Sequence, residues 1–171
     1  MQNEEREVRV RPARPGDLEQ AGENAARAFS LLRELLTSEN WTALEATIRY
    51  TTARETLGCL LIAERNGELV GSVRYTGPGH GGHTIYPNDF AYIRAVAVSP
   101  DHLRCGIGRK LTEACIEAAE KDKAEAVGLH VATANHAAVA LYRQLGFRFY
   151  RDIPDYFGIP YQALFLRFSA R

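Results

Sequence analysis

Between Ala95 and Leu111 the chain reads AVAVSPDHLRCGIGRKL. A valine-rich strand runs into a turn carrying Gly106 and Gly108, and an amphipathic helix comes after it. Without a Cβ at those two positions, backbone N–H groups can approach an anion closely. The helix behind presents unpaired N–H donors and the positive end of its dipole. Arg104, Arg109 and Lys110 add cations. This is chemistry for a pyrophosphate. Two other phosphate loops are excluded. The pattern GxxxxGK[ST] is absent, and Leu111 stands where GxGxxG needs its third glycine. The plainer reading, a tight turn before a helix, is disfavoured by the strand in front and the Arg and Lys residues around it.

The elements that must position this loop can be read from periodicity. Val8 and Val10 alternate with arginines in a short strand that Pro12 ends. Pro15, Gly16 and Asp17 read as a helix start, and Leu18, Ala21, Ala25 and Phe29 continue at helical spacing. A second helix is expected over about 40–56, with Trp41, Leu44 and Ile48 on one face. Residues 59–65 and 69–75 then read as strands joined by the hairpin signal Asn66-Gly67. Residues 77–88 are a loop by glycine and proline content. A strand over 90–98, a helix over 108–122 with Leu111, Cys115, Ala118 and Ala119 facing the sheet, and a strand over 126–132 come next. A helix over 136–145 ends at Gly146, which suits a left-handed cap. A strand starts at 147–150, and residues 161–168 make the last one. The order β-α-α-β-β-β-α-β-α-β-β predicts a mixed α/β domain with an antiparallel front half and a βαβ unit behind it. Such mixtures pack helices on both faces of one sheet.

Composition narrows the function. The 171 residues, 46% hydrophobic and 25% charged, suit one globular domain. Residues 1–6 read as a frayed, charged leader. Twenty-one Lys and Arg balance twenty-one Asp and Glu, so the overall positive charge of a phosphate-neutralising nucleic-acid binder is missing. No apolar run approaches the ~18 residues of a membrane helix, and the start lacks a signal peptide's apolar core. Cys59, Cys105 and Cys115 are odd in number and lack metal-site spacing. No nucleic-acid partner, membrane or metal is expected, and the location expected is the cytoplasm.

A second motif runs from Asn135 to Phe147, NHAAVALYRQLGF. With the glycine turn about thirty residues before it, the chain resembles the Gcn5-related N-acetyltransferase (GNAT) superfamily over roughly residues 7–169. Gly106 and Gly108 match the glycines of that family's [Q/R]-x-x-G-x-[G/A]. Asn135 to Phe147 matches N-x-x-A-x-x-L-Y-x-x-x-G-F, and Val8 to Leu18 resembles the family's first strand and helix. Leu103 departs from the usual Gln or Arg, with Arg104 beside it.

The resemblance implies a single GNAT-fold domain: a central, mostly antiparallel sheet with a splayed parallel strand pair and helices on both faces. It implies acetyl-CoA as cosubstrate and direct acetyl transfer to a primary amine of a small molecule or protein. Cofactor contacts are implied at Val96, Ala97, Val98, Arg104, Cys105, Gly106, Ile107, Gly108, Arg109, Asn135, Ala138 and Tyr142. Val96, Ala97 and Val98 would pair with the pantetheine arm like an added strand, and an amide there would polarise the thioester carbonyl. Asn135 would bond the pantetheine. Tyr142 would be the general acid, since a phenol keeps its proton at neutral pH. No carboxylate stands on the strand over 90–98, so Asp89, His83 and Tyr92 are the nearest general bases, beside a water chain or an amine already neutral. Tyr150, Asp152, Asp155, Tyr156 and Phe157 would frame the acceptor with an acidic, aromatic rim or form a solvated connection. Trp41, Phe29 and Leu32 would be core or line an acceptor pocket, and His80 and His83 would sit on a loop at its rim. C-terminal edge strands offer a homodimer surface. A non-catalytic acyl-CoA-binding or regulatory module on the same fold is the alternative.

Overall fold

Asn66 and Gly67 both take positive φ, 53° and 76°, the turn geometry that matches the right-handed twist of strands on either side. They join β2 (Cys59–Arg65) to β3 (Glu68–Thr76). The computed structural model describes residues 7–80 and 85–169. The leader at 1–6 and His83 lie outside them. The remaining elements are β1 (Arg9–Pro12), α1 (Leu18–Phe29), α2 (Ser38–Ala53), β4 (Phe90–Val98), α3 (Ile107–Lys121), β5 (Ala126–Ala132), α4 (His136–Gln144), β6 (Arg148–Tyr156) and β7 (Ile159–Arg167).

Seven strands form one sheet in the order β1-β2-β3-β4-β5-β7-β6. Within it β4 and β5 run parallel, and the other neighbours are antiparallel. Helices cover both faces, as expected. On one face Ile107, Leu111, Cys115 and Ala119 of α3 and Val139 and Tyr142 of α4 pack on Val70, Val73, Ile93, Val127 and Leu129. Leu111 is wholly buried, worth roughly 1.5–3 kcal/mol. On the other face Ala25 of α1 and Trp41, Leu44 and Ile48 of α2 meet Ala97, Ala132 and Tyr161.

Strand β4 is irregular on both of its edges. Its pairing with β5 runs only from Phe90↔Ala126 to Ile93↔Leu129, after which the strands diverge. Toward β3, Ser72 opposes Ala97 while Arg74 opposes Arg94, so Val73 faces both Ala95 and Val96. This is a β-bulge, with Ala95 at φ 51°. The extra residue inverts the alternation of side chains. Arg94 reaches the α2 side, where its Nη2 lies 2.7 Å from Glu55 Oε2. Val96 and Val98 pack toward α3 and α4.

Several boundaries differ from expectation. The second helix begins at Ser38 because the Thr37 hydroxyl accepts the Asn40 N–H at 3.2 Å, and it stops at Ala53. Ser30–Leu35 forms an unexpected 3₁₀ turn between the first two helices. The strand expected to start at 147–150 continues to Tyr156. Tyr150, Asp152, Asp155 and Tyr156 are therefore strand residues, not a connection after the strand. Pro154 lies within β6, which is an edge strand and can accommodate the missing donor. Phe157 and Gly158, at φ 54° and 89°, close the β6–β7 hairpin, and Gly158 N donates to Asp155 Oδ1 at 2.7 Å.

The 77–88 loop returns to the sheet through Tyr86. Its hydroxyl donates to the carbonyls of Leu129 on β5 (2.7 Å) and Leu164 on β7 (3.0 Å). Its ring lies where a Cβ on Gly128 would stand.

Candidate active site

The divergence of β4 from β5 opens two cavities that share a wall. One is a groove of about 520 Å³ whose lining includes Val96, Val98, Arg104, Gly106, Gly108 and Arg109. The other, about 160 Å³, lies toward α1 and α2. Phe29, Leu32, Val96, Asn135, Ala138 and Tyr142 line both.

The groove is built from the glycine turn. Arg104 and Gly106 take positive φ, 61° and 74°, and Gly106 caps the start of α3. This bends the chain so that the first N–H groups of α3 face outward. A Cβ on Gly108 would come 3.4 Å from Leu141 Cδ2 and 3.6 Å from Val98 Cγ2, occupying space in the groove. Arg109 donates to Gln144 Oε1 at 2.8 Å. Ile107 adds to the wall while its side chain is 1% exposed in the core. Lys110 is turned away from the loop, its ammonium donating to the Val8 carbonyl at 3.2 Å. Ala97 and Cys105 are not in the wall: Ala97 is buried on the α1–α2 side, and the exposed Cys105 thiol donates to the Leu103 carbonyl at 3.6 Å. Leu103 is 60% exposed and lines the groove. A cradle of backbone donors, two nearby guanidiniums and a cleft that a Cβ would narrow can take a diphosphate.

Asn135 caps α4, its Oδ1 accepting the Ala138 N–H at 3.2 Å. That fixes the side chain and leaves its NH₂ group as the donor for a ligand. Tyr142 is 5% exposed, and its ring packs 5.9 Å from Phe147. Gly146 (φ 93°) and the Phe147 N–H bond to the Tyr142 carbonyl (3.0 Å) end the helix immediately behind it. Burial pushes the Tyr142 phenol well above the ordinary phenol range, which keeps a proton available for donation.

The smaller cavity holds chemistry that the sequence did not single out. Arg94 and His130 line it with Thr47, Thr51, Tyr156 and Tyr161. The His130 and Tyr156 rings meet edge to face at 5.9 Å. Tyr156 and Tyr161 pack 4.8 Å apart, and burial raises the Tyr161 phenol to about 12. Phe29 and Leu32 line the cavity, while Trp41 packs in the core beside it. The acidic rim is not formed. Asp152 and Asp155 are exposed and outside the lining, and only Tyr156 of that stretch reaches it. Of the expected bases, Asp89 lies by a separate surface depression with Pro78 and Pro87, and Tyr92 is buried beside Phe90. His80 is exposed and outside the lining. Among the described residues no group of three His, Cys, Asp or Glu could hold a metal ion, and no helix is long and apolar enough to cross a membrane.

Residues 26–147 match the model of the acetyltransferase (GNAT) family. Over 59 residues the chain is 44% identical to the ribosomal protein bS18-alanine N-acetyltransferase of Escherichia coli. That match takes in 34% of this chain and spans 40% of the relative's length. Two solved structures share the fold. One is of a histone acetyltransferase and related acetyltransferase from Corynebacterium glutamicum, with TM-score 0.75 and 22% identity over 96% of this chain and 98% of that one. The other is a putative acetyltransferase of Salmonella typhimurium with its cofactor acetyl-CoA, with TM-score 0.68 and 19% identity over 96% of each chain.

Proposed function

We propose, from the premise that this chain belongs to the acetyltransferase (GNAT) family, that it transfers the acetyl group of acetyl-CoA directly to a primary amine. The observation that carries the reading is the pair of cavities meeting at Tyr142 where β4 and β5 diverge. The glycine turn and groove hold the cosubstrate from one side, and the smaller cavity admits the amine from the other.

Acetyl-CoA supplies an activated acyl carbon, so attack by the amine nitrogen forms the amide C–N bond and breaks the C–S bond. The chain's own groups manage charge and protons around that exchange. Amides of Val96 and Val98, beyond the point where β4 leaves β5, stabilise negative charge on the carbonyl oxygen. The Tyr142 phenol donates its proton to the departing sulfur and recovers one from solvent. His130 takes the proton released by the nitrogen, directly or through a water, and passes it to solvent. The Asn135 NH₂ group holds the pantetheine arm. The chain's free cysteines, with Cys105 exposed, support a cytoplasmic location. Edge strand β6, with Phe149 55% exposed, supports a homodimer, which sedimentation would test.

The test is a thiol-release screen of acetyl-CoA with a broad panel of amines, run beside calorimetric titration with coenzyme A. Coenzyme A binding with amine-dependent thiol release supports the reading. Binding without release across the panel favours the non-catalytic module. Absence of binding overturns both.

A further inference from the structure

The acceptor cavity is electropositive, in contrast to what an unadorned cationic amine needs. Among the described residues, no Asp or Glu lines it. Arg94 lines it with a side chain 24% exposed. Behind Arg94 lies Arg74, 4% exposed, whose guanidinium donates to the carbonyls of Thr51 (2.9 Å) and Thr52 (3.1 Å). Glu55 faces the two guanidiniums as a single carboxylate. Both guanidiniums stay charged, so the cluster carries an excess positive charge. The Arg94 donors are also poorly used. Its Nη2 approaches Glu55 at 2.7 Å, yet Nε and Nη2 have no aligned hydrogen-bond acceptor among the described residues, although both are sealed from solvent.

We propose that the charge of Arg94 on this cavity is met by a carboxylate on the acceptor, and that the amine acetylated belongs to a small α-amino acid with an apolar side chain. This rests on the acetyl-transfer reading above. A guanidinium binds a carboxylate through a charge-assisted hydrogen bond, roughly twice as strong as a neutral one. Phe29, Leu32, Leu44 and Ile48 supply an apolar wall for the side chain. The volume of about 160 Å³ suits a single residue and not a folded chain. The bulge at Ala95, which leaves Arg94 on this side, turns Val96 to the other face. A carboxylate held at Arg94 leaves the α-nitrogen within the same small cavity, which shares Val96 and Tyr142 with the groove.

The experiment has a binding arm and a turnover arm. In the binding arm, N-acetyl-L-leucine and N-acetyl-3-methylbutylamine, which lacks only the carboxylate, are titrated calorimetrically into protein saturated with coenzyme A. Tighter binding of N-acetyl-L-leucine by at least tenfold is expected. Arg94→Gln should erase that preference, as should Arg94→Gln combined with Glu55→Gln, which leaves no carboxylate stranded. Arg94→Lys should retain part of it. In the turnover arm, L-leucine, L-leucinamide and 3-methylbutylamine are compared by kcat/KM, with L-leucine favoured. Equal or tighter binding of the neutral amide, no binding of either, or a preference that survives in the double variant overturns the proposal. The acetyl-transfer reading fails separately, when acetyl-CoA is not cleaved with any amine. The carboxylate preference of the binding arm is then judged by itself.

Discussion

Replacing Gly108 with alanine should raise the protein's stability and lower its affinity for acetyl-CoA. The added Cβ would meet Leu141 Cδ2 at 3.4 Å and Val98 Cγ2 at 3.6 Å, ordinary van der Waals distances that require no rearrangement. Gly108 is the second residue of α3, and alanine in place of glycine favours a helix by up to about 1 kcal/mol. For a chain of this size that is a rise of roughly 2–4 °C in Tm. The same methyl stands in the groove between Val98 and Leu141 and holds the diphosphate off the first amides of α3. Losing one hydrogen bond to a charged group costs about 1.5–3 kcal/mol, so affinity should fall roughly ten- to a hundredfold. Thermal denaturation and calorimetric titration with acetyl-CoA measure the two effects separately. Unchanged affinity in a folded Gly108→Ala protein would refute the placement of the diphosphate. Gly106 provides the contrast. A Cβ there meets nothing within 4 Å, but φ is 74°, so Gly106→Ala carries backbone strain of roughly 1–2 kcal/mol and should lower Tm.

Tyr142→Phe removes a proton donor without removing the ring that packs on Phe147. kcat should fall by roughly 10²–10⁴ while acetyl-CoA affinity holds, and an equal kcat would dismiss the acid role. Because burial raises the Tyr142 phenol, its proton is retained past the ordinary value of ~10. A pH–kcat profile should show no loss from this group below that pH. Arg11, and then the Arg14 amide, hold the Asp17 carboxyl below the usual carboxylate range. The stability it contributes is therefore present above ~4 and disappears as pH falls through the lower folded value. Asp17→Asn should reduce Tm at pH 7 and flatten its fall in acid, as read by thermal melts across pH. Tyr86→Phe strips the hydroxyl shared by the Leu129 and Leu164 carbonyls, at a cost of about 1–3 kcal/mol. Its melt should drop by several degrees.

The lining of the larger groove was legible because its residues are contiguous. Gly106, Gly108 and Arg109 sit within one turn, and Asn135, Ala138 and Tyr142 recur at the spacing of one short helix. The smaller cavity is assembled from α1, the turn after it, α2, β4, β5, α4, β6 and β7. No local pattern announces that Arg94 and His130 share a chamber. Their alternation in the strands was the available signal, and the bulge at Ala95 breaks it midway along β4. The length of β6 was hidden by Pro154 and by its acidic residues, both compatible with an edge strand. The turn closing β6 uses Phe157 before glycine, where asparagine or aspartate would have marked it. Thr37 was a readable cap, a hydroxyl three residues before the helical N–H that it satisfies.

The bulge makes the two-chamber plan depend on how β4 is registered against β3 more than on residue type. Arg94 faces the smaller cavity and Val98 the larger groove because one extra residue lies between them. Arg94 stays opposite Arg74 and Ala97 opposite Ser72, so removing either Ala95 or Val96 would restore even alternation and leave both Arg94 and Val98 on the faces they now occupy. Pulling the strand flat with every residue kept would instead turn the later side chains over, Ala97 into the groove and Val98 into the helices opposite. Drift at this position is therefore cheap in substitutions and in a single deletion alike, and costly only in a slipped register.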